Sequence, residues 1–545
     1  MSRNVNSFFS ENPANLDISR SKFLRNQNVK TSFNAGDVIP FYIDEVLPGD
    51  THSVDTSKVV RMTTLISPIM DNIYLDTYYF FVPARLVWKH WKQFMGENTE
   101  SAWIPETKYT IPQITSPEGG WSVGTIADYL GIPTGVAGLS VSALPFRAYA
   151  MIMNEWFRDE NLSDPVYFPD DDATVAGSNG DNYISDIYKG GKPFKAAKYH
   201  DYFTSCLPAP QKGPDVPLPL GSDAPVRALS KSHTLGDDWI RFVKRDGNTP
   251  AVGVVGLDNG ILAQGNLSDA STFISTGGIE PNNLYADLTL ATGTSINQLR
   301  QAFQVQRLYE KDARGGTRYT EIIKSHFGVS SPDARLQRPE YLGGSRIPVN
   351  IHQVVQNSST DEKSPQGHTA AYSLTIDNHS DFTKSFTEHG FILGLMVARY
   401  DHTYQQGVER FWKRTLREDF YFPVFANLGE QAVKNGEIYA QGTDKDDEVF
   451  GYQEAWAEYR YKPNRISGEM RSTAPTSLDL WHLGDEYKQL PSLSDSWIRE
   501  DKTNIDRCLA VGSSLSNQFI ADIFIKNSSV RPMPLYSIPG LIDHH

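Results

Sequence analysis

Aromatic and β-branched side chains gather in short runs through the first fifth of the chain. Val38–Ile43, Val59–Ile66 and Ile73–Val82 read as three strands, with turns at Pro48–Asp50 and Ser67–Pro68 between them. Pro83–Gly96 follows with the pattern of a short helix closed by a glycine. Farther on, Phe146, Tyr149, Ala150, Met153, Trp156 and Phe157 fall at helical spacing behind Pro145, a residue suited to a first turn. Such a stripe predicts a helix packed on a core rather than a cofactor site.

Six prolines between Leu207 and Pro225 force an extended segment and mark a boundary. From Arg227 to Pro281 the residues shift to Gly, Ser, Thr, Asn and small aliphatics without helical period, and so long a loop is uncommon unless it has a function. Periodicity returns at Ser295, whose spacing to Gln298 fits a capping box, with Ile296, Leu299 and Phe303 on one face and Gly315–Gly316 at the end. A second helix carries Tyr319, Ile322, Ile323, His326 and Phe327 before a stop at Gly328. The last third alternates strands at Phe391–Ala398, Glu458–Tyr461 and Gln518–Lys526 with long connections. Four segments result: a basic N-terminal arm over 1–33, a β-rich part over 34–226, an insertion over 227–281, and a helical and β-rich remainder over 282–545. Few strands joined by long connections rich in Pro, Trp, Tyr and Arg suit a β-sandwich whose loops serve as contact surface.

Composition adds limits. Across 545 residues, 39% apolar and 12% aromatic content supports a sizeable core and excludes wholesale disorder. A net charge of −14 argues against chain-wide attraction to nucleic acid or anionic membranes, so any such contact must be local. Locally the arm opposes the global sign, with Arg3, Arg20, Lys22, Arg25 and Lys30 against Glu11 and Asp17. Clustered cations of this kind suit an arm that faces DNA, and a solvated terminus is the other reading. Two cysteines, Cys206 and Cys508, exclude a disulfide-stapled scaffold and read as buried thiols. The N-terminal residues lack a signal-peptide core, and the longest apolar run, Phe391–Ala398, is too short to span a bilayer. The expectation is an unexported protein without membrane insertion.

No catalytic, cofactor or metal residue is expected. The chain lacks a zinc-protease helix motif, paired Cys-x-x-Cys, a nucleophile elbow and a dinucleotide fingerprint. Arg335, Arg338 and Arg346 flank Gly343–Gly344, yet no Lys-Ser/Thr follows those glycines, so a nucleotide-binding loop is not predicted. Asp170–Asp172 with Asp181, and Asp444–Glu448, lack the spaced carboxylates of a calcium loop and read as solvated loops.

Several long motifs carry a resemblance. Phe33–Phe41 (FNAGDVIPF), Asp71–Asp76 (DNIYLD), Phe80–Arg85 (FFVPAR), Tyr309–Tyr319 (YEKDARGGTRY), Arg338–Ser345 (RPEYLGGS), Gly451–Asn464 (GYQEAWAEYRYKPN) and Asp479–His482 (DLWH) are similar to the major capsid proteins of microviruses, the small single-stranded DNA phages, and of their gokushovirus branch. The likeness covers nearly the whole chain apart from 227–281. It implies a mainly β protein: an eight-stranded antiparallel jelly roll with long loop and helical insertions. It also implies pentamers assembling into a sixty-subunit T=1 shell around circular single-stranded DNA. Implied partners are a scaffolding protein, a pilot protein, a small basic DNA-binding protein and a bacterial surface receptor. Localisation would be the virion, with assembly in the host cytoplasm. In this family the insertion, here spanning Ser230, Trp239, Asn266 and Gly278, builds three-fold protrusions, which makes it the expected host-attachment element. A carbohydrate-binding or glycan-hydrolysing β-sandwich is the alternative, prompted by abundant Trp, Tyr and carboxylates.

Overall fold

A computed structural model describes residues 19–97, 108–214, 216, six three-residue strands between 226 and 286, 296–358, 360, 366–367 and 369–536. The chain divides into two compact units, Met1–Pro210 with Asp312–His545, and Gln211–Lys311. The first holds two facing antiparallel sheets. In one, β1 (Ser21–Leu24) and β2 (Gln27–Phe33) both pair with β9 (Phe519–Arg531), which pairs with β4 (Thr51–Met62), which pairs with β7 (Thr375–Ser385). In the other the order is β6 (Glu340–Pro348), β5 (Ile73–Pro83), β8 (Gly390–Tyr400) and β3 (Ile39–Val46). With β1 and β2 taken as one interrupted edge, this is the eight-stranded jelly roll that the family resemblance implies.

Burial explains the strand compositions. β9 alternates buried and exposed positions, and β4 buried and half-buried ones, because only one face of their sheet meets the core. β8 is buried almost throughout, which accounts for the apolar run Phe391–Ala398. Its Ile392, Met396 and Ala398 join the core between the sheets, with Val54, Leu75, Tyr79 and Ile523. Its Leu393, Leu395 and Val397 join a second core on the far face, with Trp88, Trp121, Phe146, Tyr149 and Ile152. Between the sheets the fully buried Lys58 on β4 donates to Ser345 Oγ on β6 at 2.8 Å and sits 3.0 Å from Asp377 on β7. A buried ammonium needs such partners.

The second core also reshapes two predicted helices. Leu144–Ile152 is α-helical with its proline in the first turn, and then widens to a π turn over Met153–Phe157. Pro83–Gly96 is not one helix but two single turns, Ala84–Val87 and Trp91–Phe94. Trp88 between them is extended and fully buried, and its Nε1 donates to Asp172 at 2.6 Å. Burial of that ring outweighs local helical preference.

Two more expectations are corrected. The stretch read as an arm enters the sheet at Ser21, because its apolar positions Phe23, Val29 and Phe33 alternate and turn inward. Glu458–Tyr461 is not a strand: Ala457–Tyr459 forms a 3₁₀ turn after Trp456, which is left-handed at φ 66°. Instead of pairing in a sheet, Trp456 stacks on Phe425 and meets Tyr421 edge-on, Tyr459 packs tilted against Tyr421, and Tyr461 stacks on Tyr202. The strand there is Val449–Glu454, paired with Glu430–Lys434. Helices at Ile296–Gly315 and Tyr319–Phe327 appear as predicted, the latter ended by Gly328 at φ 70°. Cys206 and Cys508 are buried free thiols, and burial pushes Cys508 up to about 11.

In the second unit, Val226–Ala228 pairs with Leu284–Ala286, Phe242–Lys244 with Ile279–Pro281, and Gly256–Asp258 with Ile261–Ala263. The three antiparallel pairs are nested in sequence. This unit encloses the insertion expected at 227–281 and extends beyond it at both ends.

Candidate functional site

The basic residues singled out near the N-terminus have two different surroundings. Arg25 lies in the two-residue link from β1 to β2 and grips Asp44 with both terminal nitrogens at 2.6 Å. Burial would lower its pKa, but the hydrogen bond and charge of Asp44 raise it. Asp44 also accepts from Tyr42 and Asn527, beside the fully buried His52 and Asp50. Arg531 closes the group from the end of β9, 3.3 Å from Asp50. Arg25 is thus a structural clasp. Arg20 donates to the carbonyl of Gly49 at 2.9 Å, Lys30 lies 3.7 Å from Asp522, and Lys22 is exposed on β1. Arg3, Ser230, Trp239, Asn266 and Gly278 lie outside the described residues.

The acidic runs are not freely solvated. Asp172 accepts from Trp88 Nε1 and from His90 Nδ1 at 2.8 Å, while Arg147, buried in the second core, binds the carbonyl of Asp171 at 2.9 Å. Asp446 accepts the backbone N–H groups of Gln441 and Gly442, closing a turn. Among the described residues no group of three or more His, Cys, Asp or Glu side chains is arranged so that it could hold a metal ion.

Two charged clusters escaped the sequence reading. At the end of β8, His402 is buried between Asp485 at 2.9 Å and Glu500 at 3.1 Å. Burial works against its charge, yet the two carboxylates hold its pKa up at about 10. On the second sheet, Asp76 accepts from Arg346 at 2.7 Å, Arg399 at 2.6 Å and the hydroxyl of Tyr199 at 2.9 Å. Burial alone would raise that carboxyl, and the arginines outweigh it and hold it below the ordinary range.

One surface feature stands apart. The connection after β8 presents Trp412, Leu416, Val424 and Leu428 at 70, 62, 79 and 55% exposure, with Phe411, Phe420 and Tyr421 beside them. Arg414 stacks over Phe420 and Tyr459, and Arg417 over Phe422, so the ledge is aromatic with guanidinium packing. Exposed apolar side chains thus recur through residues 411–428.

A jelly roll with long connections leaving the sandwich is an architecture that viral capsid domains share with lectins and cupins. Comparison with known proteins gives the particular family. Residues 13–541 match the family described as Capsid protein (F protein), and the chain belongs to it. It is 47% identical over 532 residues to the capsid protein VP1 of Spiroplasma virus 4, covering 96% of each chain. It is 43% identical over 589 residues to the capsid protein VP1 of Chlamydia phage 1, covering 98% of this chain and 97% of the relative. The capsid protein VP1 of Bdellovibrio phage phiMH2K is likewise 43% identical, over 546 residues. The chain is a microvirus major capsid protein of the gokushovirus kind, structural rather than enzymatic, and the glycan-processing alternative gives way to this. No helix among the described residues is long and apolar enough to cross a membrane.

Proposed function

We propose that sixty copies of this protein, arranged as pentamers, close a T=1 shell around circular single-stranded DNA. The ledge from Phe411 to Leu428 is the observation that carries this reading: so much exposed aromatic surface on a well-packed subunit calls for burial against another subunit. A scaffolding protein, a pilot protein and a small basic DNA-binding protein complete assembly in the host cytoplasm. The net charge of −14 fits that division, since a separate basic protein neutralises most of the genome. Negative-stain microscopy with light-scattering mass, on the protein alone and with its scaffolding partner, tests the reading. Pentamers or closed shells are expected, and strict monomers under both conditions would sink it.

The basic stretch divides into two predicted behaviours. Neutralising Arg20, Lys22 and Lys30 together is expected to lower the DNA content of particles while leaving the subunit folded. Arg25→Gln is expected to cost about 1.5–3 kcal/mol of subunit stability, because Asp44 loses a charged, two-pronged partner. Normal DNA content in the triple variant removes the DNA-facing role.

The insertion at 227–281 is proposed to project at the three-fold axes and meet a bacterial surface receptor. Deleting residues 230–278 is expected to spare pentamers and to reduce adsorption to host cells at least tenfold. Loss of soluble protein would instead assign the segment to the folded core.

A further inference from the structure

Beside the Asp76 cluster the second sheet carries a cavity of about 420 Å³. Five lysine or arginine side chains and six aromatic rings line it, against a single carboxylate, Asp159. That lining departs sharply from a chain with net charge −14. Most of these cations have partners behind the wall: Arg346 and Arg399 share Asp76, and Arg318 pairs with Glu160. Arg346 differs from the others in keeping half of its side chain exposed, and it binds Asp76 through Nε and Nη2 only, so Nη1 makes neither bond. It also lies over the ring of Tyr199, 4.3 Å from its centroid. Exposed His200 stands at the same rim.

Tyr341 supplies the second half of the surface. It is 43% exposed, and its ring centre is 5.6 Å from Phe80 and 6.1 Å from Trp156, so it presents a supported aromatic ring to solvent. Tyr341 and Arg346 are five positions apart on β6, an odd spacing that in a regular strand places side chains on opposite faces. The pairing of β6 with β5 shifts register between Tyr341 and Gly343, and this bulge brings both residues to one cavity. Glycine is required there, since a Cβ on Gly343 would stand 2.2 Å from the carbonyl oxygen of Asp381. The glycine pair noted in the sequence therefore serves this face as a backbone device.

A supported aromatic ring and a half-free guanidinium on residues roughly 13 Å apart along one bulged strand form the platform by which single-stranded nucleic acid is held without base readout. We propose that the groove takes a dinucleotide of the packaged single strand, with one base stacked on Tyr341 and a phosphate on Arg346. The proposal rests on the coat-protein reading and adds a defined nucleic-acid site to it.

The test uses the full-length protein and dT12, followed by tryptophan quenching at 50 and 200 mM salt. Tyr341→Ala is expected to weaken binding at least fivefold, about 1 kcal/mol. Arg346→Gln is expected to weaken it and to lower the salt slope by about 0.7. Unchanged affinity and slope in both variants would overturn the site. Particles grown with bromouracil-substituted DNA give an independent readout. Photocross-links in the peptides carrying Tyr341 or Trp156 support the proposal, and cross-links confined to other peptides overturn it. Protection of Tyr341 in closed, DNA-free shells would assign the groove to a neighbouring subunit and likewise overturn it. Failure of shells to form from wild-type protein is a different result, which counts against the coat-protein reading itself.

Discussion

Replacing His402 with alanine is expected to lower subunit stability by about 3–5 kcal/mol. The imidazolium side chain is 2% exposed and holds two carboxylates, Asp485 at 6% and Glu500 at 0% exposure, one on each nitrogen. Deleting it leaves those carboxylates buried, with Lys198 at 3.8 Å from Asp485 as the remaining cation. The wild-type pair of bonds ties the end of β8 to residues 485 and 500, so the whole connection before β9 is affected. Urea midpoints at pH 7 measure the loss, and adding Asp485→Asn and Glu500→Gln to the alanine variant is expected to recover part of it.

The same group sets an alkaline limit. The folded pKa of about 10 lies above the ordinary value of 6.5, so the charged histidine contributes fully below pH 6.5. That contribution fades as pH rises from 6.5 through about 10. The Asp485 carboxyl is held low, burial being outweighed by the charge of His402, and its contribution is present at neutral pH and lost toward acid. Wild-type stability is therefore expected to fall between pH 6.5 and 10 along a slope that the His402→Ala variant lacks. Equal slopes in both proteins would show that another group governs the alkaline side.

The central strands were legible because each buries both faces or a full apolar stripe. Ile73–Val82 and Phe391–Ala398 need no neighbour to be recognised, since they supply both cores at once. β6 and β7 were not legible, as Glu340–Pro348 carries two glycines and Thr375–Ser385 is mostly polar. These strands exist because β5 and β4 offer them backbone partners, and their polar outer faces carry no period-two signal. The groove escaped for a related reason. Its lining comes from six separate stretches of chain; Arg346 had stood out beside the glycine pair, and Trp156 and Phe157 only as part of a helical stripe. His402 likewise had no local signal, because Asp485 and Glu500 reach it across long connections.

Combining Trp412→Asp with Val424→Asp is expected to abolish closed shells while leaving a soluble subunit with an unchanged melting profile. Trp412 and Val424 are 70 and 79% exposed, so neither contributes to a core, and a carboxylate at either position costs the isolated subunit little. At a contact the balance reverses, for a buried aromatic anchor is worth about 2 kcal/mol or more and an unpaired carboxylate adds a desolvation cost. A closed shell repeats every contact around its symmetry axes, so a loss that a dimer would tolerate is multiplied across the particle. The ledge matters as a patch, not as a sum of exposed residues. Leu515 is 85% exposed but stands apart in a turn, and Leu515→Asp is expected to assemble normally. Sedimentation of assembly reactions separates the outcomes. Closed particles from the double variant would show that the ledge faces solvent in the shell, and equal defects in all variants would show that added charge alone opposes assembly.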